Sequence, residues 1–137
     1  MRVKITARKT ALTLIEIMIV VLILGILAVI GVANMASLSK NAHQAVENET
    51  VGIVRRGLNL YPVASLSQGK DSPFPASLDN APDASAAGES NPFFSTVVNP
   101  PGVTDAAWHK VNATTYQGPT GQRYSYDNNA GSFFPIS

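Results

Sequence analysis

The chain has 137 residues, ten basic and nine acidic, with a formal net charge of +1 at pH 7. It has no cysteine, which excludes disulfides, thiolate nucleophiles, zinc–thiolate sites and attached haem. Arg2, Lys4, Arg8 and Lys9 all lie in residues 1–11, so residues 12–137 carry six basic against nine acidic groups, and their net charge of −3 argues against nucleic acid as a ligand.

Residues 1–11 form a short basic leader with no acid. Residues 12–33 then read LTLIEIMIVVLILGILAVIGVA, in which Thr13 and Glu16 alone are neither apolar nor glycine. At 1.5 Å per residue this run extends about 33 Å, enough to cross a bilayer core of about 30 Å. A carboxylate in such a run costs about 2.5–3.5 kcal/mol at mid-helix and less near an end, so Glu16 implies a use. Gly25 and Gly31, inside the run, permit close helix packing or local unwinding.

Residues 34–61 predict an amphipathic continuation of the same helix. Met35, Leu38, Ala42, Ala45, Val46, Ile53, Val54, Leu58 and Tyr61 recur at three- and four-residue spacing, the pattern of one buried stripe. His43, Glu47 and Arg55 lie off it; His43 and Glu47, one turn apart, read as a surface pair, and Arg55-Arg56 as a solvated face. Pro62 predicts the stop, giving one helix of about 50 residues and about 75 Å.

All nine prolines and all ten aromatic residues fall at Tyr61 or later, so residues 62–137 read as a separate loop-rich head. Residues 65–92 read as a surface loop in which Asp79, Asp83 and Glu89 confer solubility. Residues 93–99 predict a short strand or a helical turn, and residues 113–116 are β-prone. Residues 122–126 alternate around Tyr124 and Tyr126; Asp127-Asn128-Asn129-Ala130-Gly131 then predicts a turn, and residues 132–136 the returning strand of a hairpin. Phe93, Phe94, Trp108, Tyr124, Tyr126 and Phe133 are the expected core, packed on the stripe ending at Leu58 and Tyr61. The fold class is therefore α+β: a long N-terminal helix, membrane-spanning in its first half and amphipathic in its second, on a small antiparallel β-sheet.

Catalytic signatures are missing from the sequence, which has no nucleophile elbow, no phosphate-cradling glycine loop and no pair of histidines at ligand spacing. No enzyme activity, cofactor or metal is expected. His109 stands without a second ligand, and Asp127-Asn128-Asn129 lacks the acidic spacing of a calcium loop.

Lys9-Thr10-Ala11-Leu12-Thr13-Leu14-Ile15-Glu16, followed by the aliphatic run with Gly25, resembles the N-terminus of the type IV pilin and type II secretion pseudopilin family. The resemblance is strongest over residues 9–30. It implies cleavage by a prepilin peptidase between Ala11 and Leu12 and N-methylation of Leu12 by the same enzyme. It also places Glu16 and Gly25 where the family keeps an assembly glutamate and a helix-loosening glycine. The chain departs from the family pattern in having Ala11 where glycine is usual, Leu12 where phenylalanine is usual, and Ala33 where many members have proline. The implied function is structural: a subunit of a type IV pilus or type II secretion pseudopilus. Its partners would be copies of itself, other pilins or pseudopilins, and an inner-membrane assembly platform with its ATPase. The implied location is the inner membrane, single-pass, with the head periplasmic or extracellular, and a filament after assembly.

Physical chemistry points the same way. A charged carboxylate in an apolar setting needs a positive partner, and cleavage would create one in the α-amino group of Leu12. In a bundle, Glu16 of one subunit would meet the amino terminus of its neighbour and set the axial stagger, as a buried polar group sets register in a coiled coil. Two other readings stay open on sequence: a secretory signal cut after Ala33, and a membrane-anchored binding or adhesion module that does not polymerise.

Overall fold

In a computed structural model the described residues are 13–137, with the side chain of Ala33 excepted. The order is one helix, α1 (Leu14–Ser67), then four strands: β1 (His109–Asn112), β2 (Thr115–Gln117), β3 (Arg123–Asp127) and β4 (Ser132–Ile136). The strands form an antiparallel meander in the order β1-β2-β3-β4, so the fold is α+β. The chain divides into two compact units, one running through Ser39 and the other covering Lys40–Ser137, and α1 contributes to both.

In the first unit, α1 is long and apolar enough to cross a membrane, and the stretch that meets this test has none of its surface buried by protein. The apolar side chains from Leu14 to Val32 are exposed on every face of the helix. A helix apolar all round is at home in lipid or in the interior of an assembly.

In the second unit the helix is one wall of the head. Glu47, Thr50, Val51, Val54, Leu58 and Ser65 are its buried positions, at spacings of three, four and seven that define one face. The upper part of the predicted stripe lies elsewhere: Val46 and Ile53 are exposed. The pattern on the sequence merged two faces, one covered and one open.

The helix also passes through Pro62, where a stop was expected, and ends at Ser67. Proline inside a helix removes one backbone hydrogen bond and costs about 3 kcal/mol. The continuation gains the burial of Ser65. A Schellman cap closes it: Lys70 N donates to Ser65 O (3.0 Å), Gly69 N donates to Leu66 O (3.2 Å), and Gly69 takes φ +67°. The stop signal in the sequence was Gly69-Lys70.

The predicted hairpin is present as β3 and β4, with Tyr126 opposite Phe133 and Tyr124 opposite Pro135. Between them Asp127 Oδ1 accepts from Asn129 N and Ala130 N, and Gly131 adopts φ +61°. Residues 93–99 form turns, with Phe93 in an isolated bridge to Val103. The expected aromatic core is buried in full and Tyr116 joins it. Phe94 sits in its centre, with ring contacts to Phe93, Trp108, Tyr116 and Phe133 at centroid distances of 4.7–6.2 Å.

Two helix glycines differ sharply in their surroundings. A Cβ on Gly57 would strike the carbonyl of Val97, so this glycine allows the 93–99 turn to press on the helix; a Cβ on Gly52 would meet only Arg56 Nη2, at 3.7 Å. Gly52→Ala is therefore expected to stabilise the head, by up to about 1 kcal/mol. Gly57→Ala is expected to destabilise it by about 1–3 kcal/mol through overpacking. Denaturant melts of the detergent-solubilised full chain check both, and equal shifts would contradict the packing described.

Candidate functional site: the Glu16 turn and the buried carboxylates of the head

Ala11 and Leu12 lie outside the described residues. Glu16 occupies the first turn of α1 and is exposed. Thr13 caps this turn: its carbonyl accepts from Glu16 N (3.1 Å) and Ile17 N (3.3 Å), and its Oγ1 lies 3.4 Å from Glu16 N. Thr13-Leu14-Ile15-Glu16 thus has the spacing of a capping box, with Glu16 at the third helical position. A carboxylate there is favoured by the helix dipole by about 0.3–1 kcal/mol, which offsets only part of its cost in an apolar medium. Gly25 lies nine residues on, half a turn round the helix from Glu16, with open space where a Cβ would be. The structure therefore does not bring these two residues together within one chain.

In the head, two carboxylates assigned to solvent by the sequence reading are buried. Glu47 is 2% exposed. Its Oε1 accepts from Tyr124 OH (2.8 Å) and its Oε2 from Thr120 N (2.7 Å), so it joins α1 to the sheet instead of pairing with His43 on the surface. Asp79, also 2% exposed, is no solubilising residue. Its Oδ1 accepts from Lys110 Nζ (2.7 Å) and Ala81 N (3.1 Å), and its Oδ2 from Tyr116 OH (2.9 Å) and Phe94 N (3.1 Å). Lys110 Nζ also donates to Ala81 O (2.8 Å). Four donors fill the carboxylate, which is the condition for holding a charge out of water. Acidic residues in a Ser/Ala/Pro-rich stretch signal solubility, and the pairing lysine is 31 positions away, so sequence alone had no route to this site.

Arg55 is exposed, yet its Nε donates to Phe133 O (2.8 Å) on β4, so it also ties helix to sheet. A polar cleft of about 340 Å³ opens beside it, lined by Gln44, Glu47, Asn48, Arg55, Thr120 and Tyr124 among others. His109 is exposed on β1. Asp127 spends Oδ1 on its own turn, and among the described residues no group of three or more histidine or acidic side chains is gathered for a metal.

Burial raises the three core phenols, and for Tyr116 and Tyr124 the buried carboxylates add to it. Burial, and then the hydrogen bond to Glu47, pushes Tyr124 from its ordinary 10.0 up to about 12. Burial, followed by neighbouring Tyr61 and Asp127, takes Tyr126 up to about 12. Tyr116 is raised further, by burial and then by Asp79. No family model matches the chain, and no curated protein or solved structure does either.

Two outcomes follow for the head. Lys110→Met strands the Asp79 charge and is expected to cost about 3–5 kcal/mol of stability, whereas Tyr116→Phe, which removes one of four donors, is expected to cost about 1–3. Urea titration distinguishes them, and a mild Lys110→Met would contradict the buried ion pair. The raised phenol values also fix a sign in pH. A folded-state pKa above the unfolded one contributes stability that is complete below about pH 10 and is lost as pH rises through about 12. Alkaline loss of stability should therefore coincide with tyrosinate absorbance in that window, and Tyr124→Phe, though less stable at neutral pH for want of its hydrogen bond to Glu47, should lose less stability across it.

Proposed function

We propose that this chain is a structural subunit of a type IV pilus or type II secretion pseudopilus. It is made as an inner-membrane precursor, cut between Ala11 and Leu12, N-methylated at Leu12, and polymerised through α1. The observation that carries this reading is Glu16. It is the only charged side chain of a helix stretch otherwise fit for a membrane, it stands four residues after the cleavage motif, and the same helix goes on to form the wall of a folded head.

Among the described residues this carboxylate has no ion-pair partner. A plain anchor or secretory signal has no need of a carboxylate, and capping the first turn offsets less than its cost in lipid. Cleavage supplies a positive α-amine one turn before Glu16 in its own chain and within reach of Glu16 in a neighbouring one. Burial in a low-dielectric bundle makes that pairing strong enough to select one stagger. The apolar faces from Leu14 to Val32, exposed in the single chain, supply the attraction once they leave lipid for copies of the same helix.

The covalent chemistry belongs to a prepilin peptidase acting on Ala11-Leu12. The work of extraction from the membrane belongs to an assembly platform with its ATPase. The chain itself contributes a register charge, an apolar helix and a head that stays outside the inner membrane.

The mass of the mature N-terminus tests processing: an N-methylated Leu12 is expected, and a start at Met1 or Asn34 overturns the reading. Glu16→Leu tests assembly. Membrane insertion should be unchanged while sheared filament yield falls by an order of magnitude or more, and an unchanged yield removes the role given to Glu16.

A further inference from the structure

Asp79 and Lys110 are buried together, with side chains 0% and 4% exposed and Lys110 Nζ 2.7 Å from Asp79 Oδ1. Their surroundings are aromatic. Phe93, Phe94, Trp108 and Tyr116 belong to the same core, and Lys110 Nζ stands 5.7 Å from the centre of the Tyr116 ring. Two opposite charges in so apolar a place carry a desolvation cost on each side. Moving one proton from Nζ to Oδ1, along the hydrogen bond they already share, gives a neutral amine beside a neutral carboxylic acid and relieves part of that cost. The neutral pair is a nucleophile held against an electrophile, because the carbon bonded to Oδ1 is the carboxyl carbon Cγ.

The hydrogen bonds around the pair match the needs of a secondary amide, which has one N–H to donate and one carbonyl oxygen to accept. Lys110 Nζ already donates to Ala81 O at 2.8 Å, an acceptor for the amide N–H. Asp79 Oδ2 already accepts from Tyr116 OH at 2.9 Å and Phe94 N at 3.1 Å, two donors for the amide carbonyl. The same two donors face the oxygen on which negative charge develops as Nζ adds to Cγ, the arrangement that stabilises an oxyanion. Ala81 N, bonded to Oδ1, is the one donor that loses its partner, and Ala81 is only half-buried.

We propose that Lys110 and Asp79 condense to an intramolecular amide, a covalent cross-link between β1 and the irregular segment before it. The Nζ–Cγ bond forms and the Cγ–Oδ1 bond breaks. Of the three ammonium protons, two leave with Oδ1 as water and one stays on nitrogen, facing Ala81 O. The positive and negative charges vanish together, and no oxidant, metal or activating group is consumed. The reaction has to occur only once per chain. Groups held in contact reach effective molarities of about 10⁵–10⁸ M when well oriented, which suits a single slow maturation step.

The fold gives this bond a use. Asp79 and Lys110 lie 31 positions apart and bracket most of the stretch between α1 and β1 that has neither helix nor strand. A cross-link there restricts the unfolded chain as a disulfide does, in a sequence with no cysteine to form one. The proposal stands on the head alone and holds whether or not the chain assembles.

Peptide masses test it. The full chain is extracted from membranes in detergent, denatured completely and cut with trypsin. No lysine or arginine lies between Lys70 and Lys110, or between Lys110 and Arg123. A lysine whose Nζ is an amide resists trypsin, so the expected product is residues 71–123 uncut at Lys110 and lighter by about 18 Da than its sequence. A second cut after Phe93, Phe94 and Trp108 separates Asp79 from Lys110 along the chain, and the two fragments should remain joined. Lys110→Met should give the same 71–123 span at full mass, with fragments that come apart. Wild-type chain cut at Lys110 into residues 71–110 at full mass overturns the proposal, and that measurement needs no variant to fold. A loss of about 18 Da that persists in Lys110→Met, or in wild-type fragments that come apart, also overturns it, since it marks dehydration within Asp79-Asn80 and no cross-link.

Discussion

Asp79 holds together a head that has little regular structure to do so. Between the end of α1 at Ser67 and the start of β1 at His109 the chain has no helix or strand, and no disulfide is available to tie it down. Ordering some forty such residues costs about 1–2 kcal/mol each in backbone entropy alone. The Asp79 carboxylate gathers donors from four places: Ala81 beside it, Phe94 in the turn, Lys110 on β1 and Tyr116 on β2. Each donor pins a segment to the same point. The result is costly to disturb at any one of them, because a buried carboxylate stripped of a partner keeps its desolvation cost. Phe94 shows the constraint most directly. It adopts φ +59°, unusual for a bulky residue, with its N–H on Asp79 and its ring at the centre of the aromatic cluster.

Glu47 plays the corresponding part on the helix side. Thr120 and Tyr124 close on it, and Arg55 two turns along reaches the Phe133 carbonyl. Helix and sheet are thus joined by apolar contact along Val51, Val54 and Leu58 and by charged groups at the margin of that contact. The polar ties set which rotation of the helix faces the sheet. Apolar contact alone would not, since α1 offers a second apolar face to choose from.

This explains what was legible in the sequence and what was not. The long helix, the β3–β4 hairpin and the six core aromatics were legible because each depends on residue type at short spacing. A proline-free apolar run, a tyrosine alternation and an Asp-Asn-Asn turn all act locally. Strand β1 was missed: His109-Lys110-Val111-Asn112 has little β character, and it becomes a strand by pairing with β2 and by receiving Lys110 as the partner of Asp79. Glu47 and Asp79 were misread because an acid's ordinary place is the surface, and, Ala81 apart, their partners lie 73 and 77, and 15 to 37, positions away. Pro62 misled for the opposite reason, as a strong local rule overridden by packing at Ser65 and a Schellman cap at Gly69.

The three buried or apolar-embedded acids differ in one respect that bears on Glu16. Asp79 has four donors and Glu47 two, all within the chain; Glu16 is the third acid placed among apolar residues, and its carboxylate takes part in none of the side-chain hydrogen bonds among the described residues. Its backbone is satisfied by Thr13. The carboxylate therefore remains a group whose cost is set by the medium: small while the first turn lies at a wet membrane surface, large once the apolar helix is enclosed. On the proposed reading, enclosure in a filament is permissible only if a positive group arrives with it, and that group comes into being when the bond after Ala11 is cut. An uncut chain would carry the carboxylate and the basic leader but no α-amine at Leu12, and would be kept at the interface by both charges. On that reading, removing the leader would take away the interfacial anchor and provide the counter-charge in one step, so the same bond would control both departure from the membrane and entry into the assembly.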